Sequence, residues 1–109
     1  MAVNSAFRED INRWMERFEK EKNAVLLDVR TPREYAAGHI PGSWNIPLQE
    51  LEWAENVLPA RDTPLYVYCL SGRRSHQAAI YLEEMGYGQI INIGGFSEYR
   101  GRVEGCSGD

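Results

Sequence analysis

The sequence predicts a three-layer α/β fold, with helices on both faces of a central, mostly parallel sheet of four to five strands. Short apolar runs alternate along the chain with segments of helical character, a pattern typical of parallel strands buried on both faces. Turn residues follow several of the apolar runs, and one helical segment begins at a capping residue. The 109 residues are enough for one domain that buries a core without disulfides.

The first helix is predicted from Ser5 to about Lys22. Its polar face carries both signs of charge, so we expect it to pack against the sheet rather than bind a membrane surface. Before it, only Val3 favours an edge strand, and the edge of the sheet is therefore weakly defined. The apolar residues at helical spacing are Phe7, Ile11, Trp14, Met15 and Phe18.

A second helix is indicated by Thr31-Pro32-Arg33-Glu34. Thr31 can cap the helix, Pro32 suits its first turn, and Glu34 completes a capping box; the helix then ends at Gly38. The remaining predicted elements are strands over 24–29, 44–46, 65–68 and 89–93, a helix over 48–58, and a helix over about 74–85 that ends at Gly86, with Gly94 and Gly95 closing the last strand.

Charge and composition argue against several classes of function. The formal charge is −4 with charges of mixed sign, whereas a nucleic-acid binder usually presents a basic face. The first residues lack the features of a signal peptide and no long apolar run follows, so we expect a cytoplasmic protein. Two cysteines, Cys69 and Cys106, are too few for a disulfide framework and fit no metal spacing. We expect neither a metal nor a cofactor.

Cys69 carries the functional prediction, because it lies where the 65–68 strand gives way to a turn and a helix. The residues that follow it are Leu70, Ser71, Gly72, Arg73, Arg74 and Ser75. Amides at a helix start and nearby cations both favour a thiolate. An arginine about 4 Å away would contribute up to about 4 kcal/mol, against roughly 0.3–1 kcal/mol from the helix end. The pattern predicts a nucleophilic cysteine that faces an anionic substrate.

Several motifs resemble those of the rhodanese (sulfurtransferase) family. Cys69-x-x-Gly72-x-Arg74-Ser75 resembles the active-site loop of that family. The resemblance is strongest over residues 24–100, with 101–109 as a tail, and implies a single rhodanese-like domain over 1–109. The further motifs are Leu27-Asp28-Val29-Arg30, Glu34-Tyr35, Gly38-His39-Ile40-Pro41-Gly42-Ser43, Asn45-Ile46-Pro47 and Gly94-Gly95-Phe96.

The resemblance implies a sulfurtransferase that carries sulfur as a persulfide on Cys69. Thiosulfate or a related persulfide would donate the sulfur, and cyanide, a thiol or a protein acceptor would remove it. Residues 70–75 would bind the substrate through backbone amides, with Arg74 as the loop arginine of the family and Arg73 at the rim. We expect a monomer that binds neither nucleic acid nor membrane.

Other residues of the resemblance are interpreted as supporting the site. Asp28 and Arg30 match the Asp-x-Arg pair of the family, and we interpret them as structural rather than substrate-binding. His39 is interpreted as a hydrogen-bonded turn residue. Phe96 stands where the family often has tryptophan, which we interpret as a conservative packing change.

Alternative interpretations remain open at this point. Phosphatases and arsenate reductases of a related fold have a loop that is one residue longer, whereas only four residues separate Cys69 from Arg74 here. A non-catalytic binding or regulatory module usually lacks the cysteine. Residue type alone also fits a buried core cysteine. Cys106 is a candidate to receive sulfur from Cys69 or to form a disulfide with it.

Overall fold

The computed structural model describes residues 3–5, 10–58 and 60–105. Within these residues, five strands form one sheet in the order β1-β5-β4-β2-β3, and all four neighbouring pairs are parallel. The predicted α/β architecture is confirmed, and the weakly indicated edge strand is present. The strands are β1 (Val3–Ser5), β2 (Val25–Asp28), β3 (Trp44–Asn45), β4 (Leu65–Cys69) and β5 (Ile90–Gly95).

Two core layers lie on opposite faces of the sheet, because side chains along a strand alternate in direction. In β4, Leu65, Val67 and Cys69 join the layer that contains Ala78, Ala79 and Leu82 of the last helix. Tyr66 and Tyr68 join the other layer, with residues of the first helix. Cys69 therefore lies on the face that the last helix covers. The helices are α1 (Ile11–Lys20), α2 (Pro32–Ala37) and α3 (Arg73–Glu84), with 3₁₀ segments over Leu48–Asn56 and Phe96–Glu98.

Helix α1 begins later than the predicted Ser5. The Asp10 side chain caps it by accepting hydrogen bonds from the backbone N–H groups of Asn12 and Arg13, which satisfies donors that a helix start leaves free. Its buried residues, Ile11, Trp14 and Met15, face the sheet as predicted. Phe7, which was also predicted for this apolar face, lies outside the described residues.

Helix α2 has the predicted capping box. The Thr31 hydroxyl accepts a hydrogen bond from the backbone N–H of Glu34, and the Glu34 carboxylate accepts one from the backbone N–H of Thr31 at 2.9 Å. The helix ends at Ala37, directly before the predicted Gly38. This motif fixes the position of Glu34, which becomes important for the site.

The helix predicted over 48–58 is instead a 3₁₀ segment with a break at Glu50. Leu51 and Ala54 are its buried residues, and Leu48 packs against the same core. This spacing of three residues suits the three residues per turn of a 3₁₀ helix. Among the residues that the structure describes, no helix is long and apolar enough to cross a membrane.

Strand β5 extends through both glycines that were predicted to close it. Its register against β4 shifts near its end, because Val67 pairs with Asn92 and Tyr68 pairs with Gly94. Ile93 is therefore the extra residue of a bulge. The bulge lies beside Tyr68 and Cys69, just before the turn that follows Cys69.

Candidate active site

The turn after Cys69 is very short, because only residues 70–72 separate strand β4 from helix α3. Gly72 precedes the helix in the left-handed conformation, with φ of 98°, which glycine adopts without steric cost. The predicted strand–turn–helix arrangement around Cys69 is confirmed. Leu70, Ser71 and Arg73 are exposed, whereas Cys69 and Ser75 are buried.

The turn directs hydrogen-bond donors at the Cys69 sulfur. The backbone N–H of Gly72 lies 3.0 Å from Sγ, and the Ser75 hydroxyl oxygen lies 3.5 Å from it. Burial raises the pKa of the Cys69 thiol, but the Ser75 hydroxyl and the amides of Ser75, Gly72 and Ser71 outweigh it and hold the pKa below its ordinary value. The sulfur is as buried as a core cysteine, yet its neighbours on this side are polar donors that stabilise a thiolate.

The expectation that an arginine dominates the electrostatics of the thiol does not fit this geometry. The Arg74 guanidinium makes two hydrogen bonds to the Glu34 carboxylate, at 2.8 Å and 3.0 Å. Arg74 lowers the pKa of Glu34 to about 2, and Glu34 raises the pKa of Arg74. The charge of Arg74 is thus compensated across the gap between α3 and α2. The hydroxyl and the backbone amides contribute most to thiolate stabilisation.

Arg73 is an exposed cation of the loop, and its place at the rim of a substrate site stays a prediction. Among the described residues, no carboxylate lies within salt-bridge distance of Arg73, in contrast to Arg74. Its charge therefore remains available to attract an anion that approaches the turn.

Asp28 and Arg30 form a buried ion pair at the end of β2. The Arg30 guanidinium donates to the Asp28 carboxylate at 2.8 Å and to the carbonyl oxygen of Gly38 at 2.6 Å. It also lies 4.4 Å from the centre of the Phe96 ring, close enough for a cation–π interaction. The pair connects three segments around the site, the end of β2, Gly38 and Phe96, and its interpretation as structural stays a prediction.

His39 makes the contacts expected of a turn residue. Its Nδ1 lies 2.7 Å from the carbonyl oxygen of Tyr35, and the two rings stack with their centres 3.7 Å apart. Within residues 10–58 and 60–105, no group of three or more His, Cys, Asp or Glu side chains is arranged to hold a metal. Cys106, the other candidate sulfur carrier, lies outside the described residues.

Comparison with known proteins identifies the family. A model named rhodanese-like domain matches residues 12–102, which include both the Asp28–Arg30 pair and the whole turn after Cys69. The chain belongs to the rhodanese-like family. The resemblance seen in the sequence motifs is therefore confirmed, and the match begins earlier than the motifs indicated, within α1.

Relatives of this rhodanese-like chain include thiosulfate sulfurtransferases. It is 41% identical over 73 residues to thiosulfate sulfurtransferase PspE of Escherichia coli, covering 66% of this chain and 70% of PspE. It is 40% identical over 84 residues to uncharacterized protein YqhL of Bacillus subtilis, covering 76% of this chain and 66% of YqhL. The chain thus spans about two thirds of the length of these curated relatives.

A solved structure described as rhodanese with anions from E. coli superposes with a TM-score of 0.70. It is 36% identical in sequence, and the match covers 75% of this chain and 98% of that chain. The rhodanese-like fold predicted from the sequence is confirmed by this comparison.

Two residues of this rhodanese-like site were not identified as site residues from the sequence. A Cβ atom on Gly95 would clash with the carbonyl oxygen of Leu70 and lie 2.8 Å from Cα of Ser71, so the turn packs directly on this glycine. Asn92 is buried and bonds to both Ser75 and Gly72. The sequence signal for Asn92 was its polar side chain within an otherwise apolar strand.

Proposed function

We propose that the protein is a sulfurtransferase that moves a sulfane sulfur from thiosulfate or a related persulfide donor to cyanide or a thiol. The observation that carries the proposal is the backbone N–H of Gly72, 3.0 Å from the Cys69 sulfur, at the carboxyl end of a central strand. Membership of a family that includes thiosulfate sulfurtransferases supports it.

The reaction has two half-reactions, each a displacement at sulfur. The Cys69 thiolate attacks the outer sulfur of thiosulfate, a new S–S bond forms, and sulfite leaves with the electron pair of the broken S–S bond. Cyanide or a thiolate then attacks the outer sulfur of the persulfide, and Cys69 leaves as a thiolate. Neither half-reaction requires a net oxidant, because the sulfur atom is transferred without electrons entering or leaving the protein.

We assign substrate binding to the turn and its rim. The amides of residues 70–75 would stabilise the anionic outer sulfur of the persulfide, because preorganised N–H groups favour developing charge. Arg73 would attract the dianionic donor from the rim. Arg74 acts by holding the start of α3 against α2 through Glu34.

We further propose that the protein is a cytoplasmic monomer that binds neither nucleic acid nor membrane. Its sulfur acceptor would be a thiol compound or a carrier protein. The net charge of −4 with mixed signs supports the absence of a nucleic-acid partner. Cell fractionation and light scattering test location and oligomeric state. Recovery in a membrane or periplasmic fraction, or a dimer mass, would contradict this part of the proposal.

Intact mass after incubation with thiosulfate tests the proposed function. We expect the parent to gain one sulfur atom that cyanide removes, and Cys69→Ser to gain none. Cys106→Ser is the matched control, and it should load and discharge like the parent. Altered loading in Cys106→Ser would show that Cys106 takes part in transfer. Hydrolysis of an aryl phosphate without sulfur loading would favour the phosphatase interpretation instead.

A further inference from the structure

Asn92 is a buried amide in the middle of strand β5, with only 5% of its surface exposed. Both polar atoms of its side chain have partners around the turn. Its Oδ1 accepts hydrogen bonds from the Ser75 hydroxyl at 2.7 Å and from the backbone N–H of Gly94 at 3.1 Å. Its Nδ2 donates to the carbonyl oxygen of Gly72 at 3.1 Å. Asn92 therefore contacts two of the residues that direct donors at Cys69.

The bulge in β5 explains how Asn92 reaches both of them. Asn92 pairs with Val67, and the next pair along the ladder joins Tyr68 to Gly94. The bulged residue between them makes room for the backbone N–H of Gly94 to bond to the Asn92 side chain. One acceptor bond of Asn92 is thus supplied by the backbone of its own strand, independently of Ser75.

The Ser75 hydroxyl has one proton and two acceptors within reach. Asn92 Oδ1 is 2.7 Å away and Cys69 Sγ is 3.5 Å away, and a serine can donate to only one of them at a time. When the sulfur is a neutral thiol, its S–H can donate to the Ser75 oxygen while Ser75 donates to Asn92. When the sulfur is an anion, a charge-assisted bond to sulfur is the stronger of the two.

We propose that Asn92 is a positioning residue that acts on Cys69 through Ser75. Its Oδ1 accepts the hydrogen bond of the Ser75 hydroxyl while the Cys69 sulfur is uncharged, and the hydroxyl donates to that sulfur instead when the thiolate forms. The inference rests on the proposed function, which it deepens, because sulfur transfer moves the negative charge between two sulfur atoms.

In one cycle of sulfur transfer, the Ser75 hydroxyl would change its hydrogen-bond acceptor twice. Attack on the donor converts the Cys69 thiolate into the neutral inner sulfur of a persulfide, whose charge lies on the outer sulfur, so the Ser75 hydroxyl again donates its hydrogen bond to Asn92. Transfer of the outer sulfur to the acceptor restores the thiolate, and the Ser75 hydroxyl again donates its hydrogen bond to the Cys69 sulfur. No proton enters or leaves, since the O–H bond only rotates, and Asn92 keeps the bond from Gly94 throughout.

A double-mutant cycle measured as a thiol pKa tests the inference. The variants are Asn92→Ala, Ser75→Ala and the double variant, and the readout is the pH dependence of Cys69 alkylation by iodoacetamide in a Cys106→Ser background. The charged pairs packed around the turn, Arg74 with Glu34 and Asp28 with Arg30, are common to all variants. The cycle therefore isolates the coupling between Asn92 and Ser75.

The two backgrounds should respond differently to loss of Asn92. Without Ser75, Asn92→Ala releases the carbonyl of Gly72 and the backbone N–H of Gly94, which loosens the turn and raises the thiol pKa. With Ser75 present, the same change also leaves the hydroxyl without its other acceptor, so the hydroxyl donates to the thiolate alone. We therefore compare the change that Asn92→Ala causes in the thiol pKa of Cys69 with and without Ser75. This change should be more negative by about half to one pKa unit when Ser75 is present. Equal shifts in the two backgrounds would overturn the inference.

Two further measurements keep the test decisive. If circular dichroism shows that Asn92→Ala does not fold, Asn92→Leu replaces it, because leucine has nearly the shape of asparagine but no hydrogen-bond acceptor, and the same difference is expected. Thiosulfate loading is measured on the parent in parallel. Normal loading with no coupling would reject the role of Asn92 alone, whereas absent loading would reject the proposed function and leave the coupling measurable.

Discussion

The Arg74 guanidinium and the Glu34 carboxylate form a bidentate salt bridge, with nitrogen–oxygen distances of 2.8 Å and 3.0 Å. The same carboxylate accepts a hydrogen bond from the backbone N–H of Thr31 and completes the cap of α2. One side chain therefore stabilises the start of α2 and fixes the start of α3. A local capping residue has become part of the support of the Cys69 turn.

Replacing Arg74 should weaken sulfur loading far more than replacing Arg73. Arg74→Ala leaves Glu34 without its partner and frees the first turn of α3, so we expect the rate of loading by thiosulfate to fall by about tenfold or more. Arg73→Ala removes only a rim charge that salt screens, and a loss of less than about threefold is expected. Stopped samples analysed by intact mass give both rates. Equal losses would show that the two arginine roles are wrongly assigned.

Acid should remove the stability that Glu34 contributes. The pKa of Glu34 falls from 4.5 to about 2 in the folded state, so its contribution is present above pH 4.5 and is lost as the pH falls towards 2. At pH 6 the parent should be more stable than Glu34→Gln by about 1 kcal/mol, a modest value because the pair is partly exposed. Urea unfolding at pH 6 and at pH 2.5 tests this. A difference that stays constant with pH would contradict the assignment.

Loss of the Ser75 hydroxyl should raise the thiol pKa of Cys69. The hydroxyl is the foremost group that lowers this pKa, so Ser75→Ala should raise it by about one unit and reduce the thiolate fraction at neutral pH. Ser75→Thr retains a hydroxyl and is the control. The pH dependence of alkylation gives the values, and an unchanged pKa in Ser75→Ala would assign the thiolate stabilisation to the backbone amides alone.

Any side chain at Gly95 should displace the turn after Cys69. A Cβ there would meet the backbone of Leu70 and Ser71, so Gly95→Ala should lower the free energy of unfolding by about 1–3 kcal/mol and slow sulfur loading. Gly88→Ala is the matched control, because nothing lies within 4 Å of its Cβ position. Urea unfolding and loading rates are measured for both. Comparable effects at the two glycines would contradict the close packing at Gly95.

Phe96 should be replaceable by tryptophan but not by an aliphatic residue. Its ring lies against the buried Arg30 guanidinium, and either aromatic ring can provide the cation–π interaction. Phe96→Leu should lower the free energy of unfolding by about 1–2 kcal/mol, whereas Phe96→Trp should change it by less than about 1 kcal/mol. Denaturant unfolding compares the two, and equal stability of both variants would remove the role given to the ring.

Elements with strong local signals were predictable from the sequence. Buried strands such as Val25–Asp28 and Leu65–Cys69 are short apolar runs, and Thr31 with Glu34 defines a helix start within four residues. The 3₁₀ form of Leu48–Asn56 was not predicted, because an apolar spacing of three also fits an α-helix. Local sequence patterns therefore predicted the position of this helix, but they did not distinguish 3₁₀ from α-helical hydrogen bonding.

The site was predictable where its residues are adjacent in sequence. Cys69 and the turn up to Ser75 are contiguous, so their proximity follows from chain connectivity. The partnership of Arg74 with Glu34 spans 40 residues, and that of Ser75 with Asn92 spans 17. Neither could be deduced without the sheet order that brings these segments together. This is why the sequence assigned to arginine a thiolate-stabilising role that the structure gives to a hydroxyl and to amides.

Cys69 is completely buried, so its own sulfur and the sulfur that it is proposed to transfer would lie in different surroundings. In the proposed persulfide the side chain would be longer by one S–S bond, about 2 Å, than the fully buried Cys69 side chain. An acceptor too large to enter the turn would then meet only the terminal sulfur, while the anchoring sulfur stays sheltered from large oxidants and from mispairing with other thiols. The burial of Cys69 would thus protect the free thiolate and leave the terminal sulfur of the persulfide accessible to an acceptor.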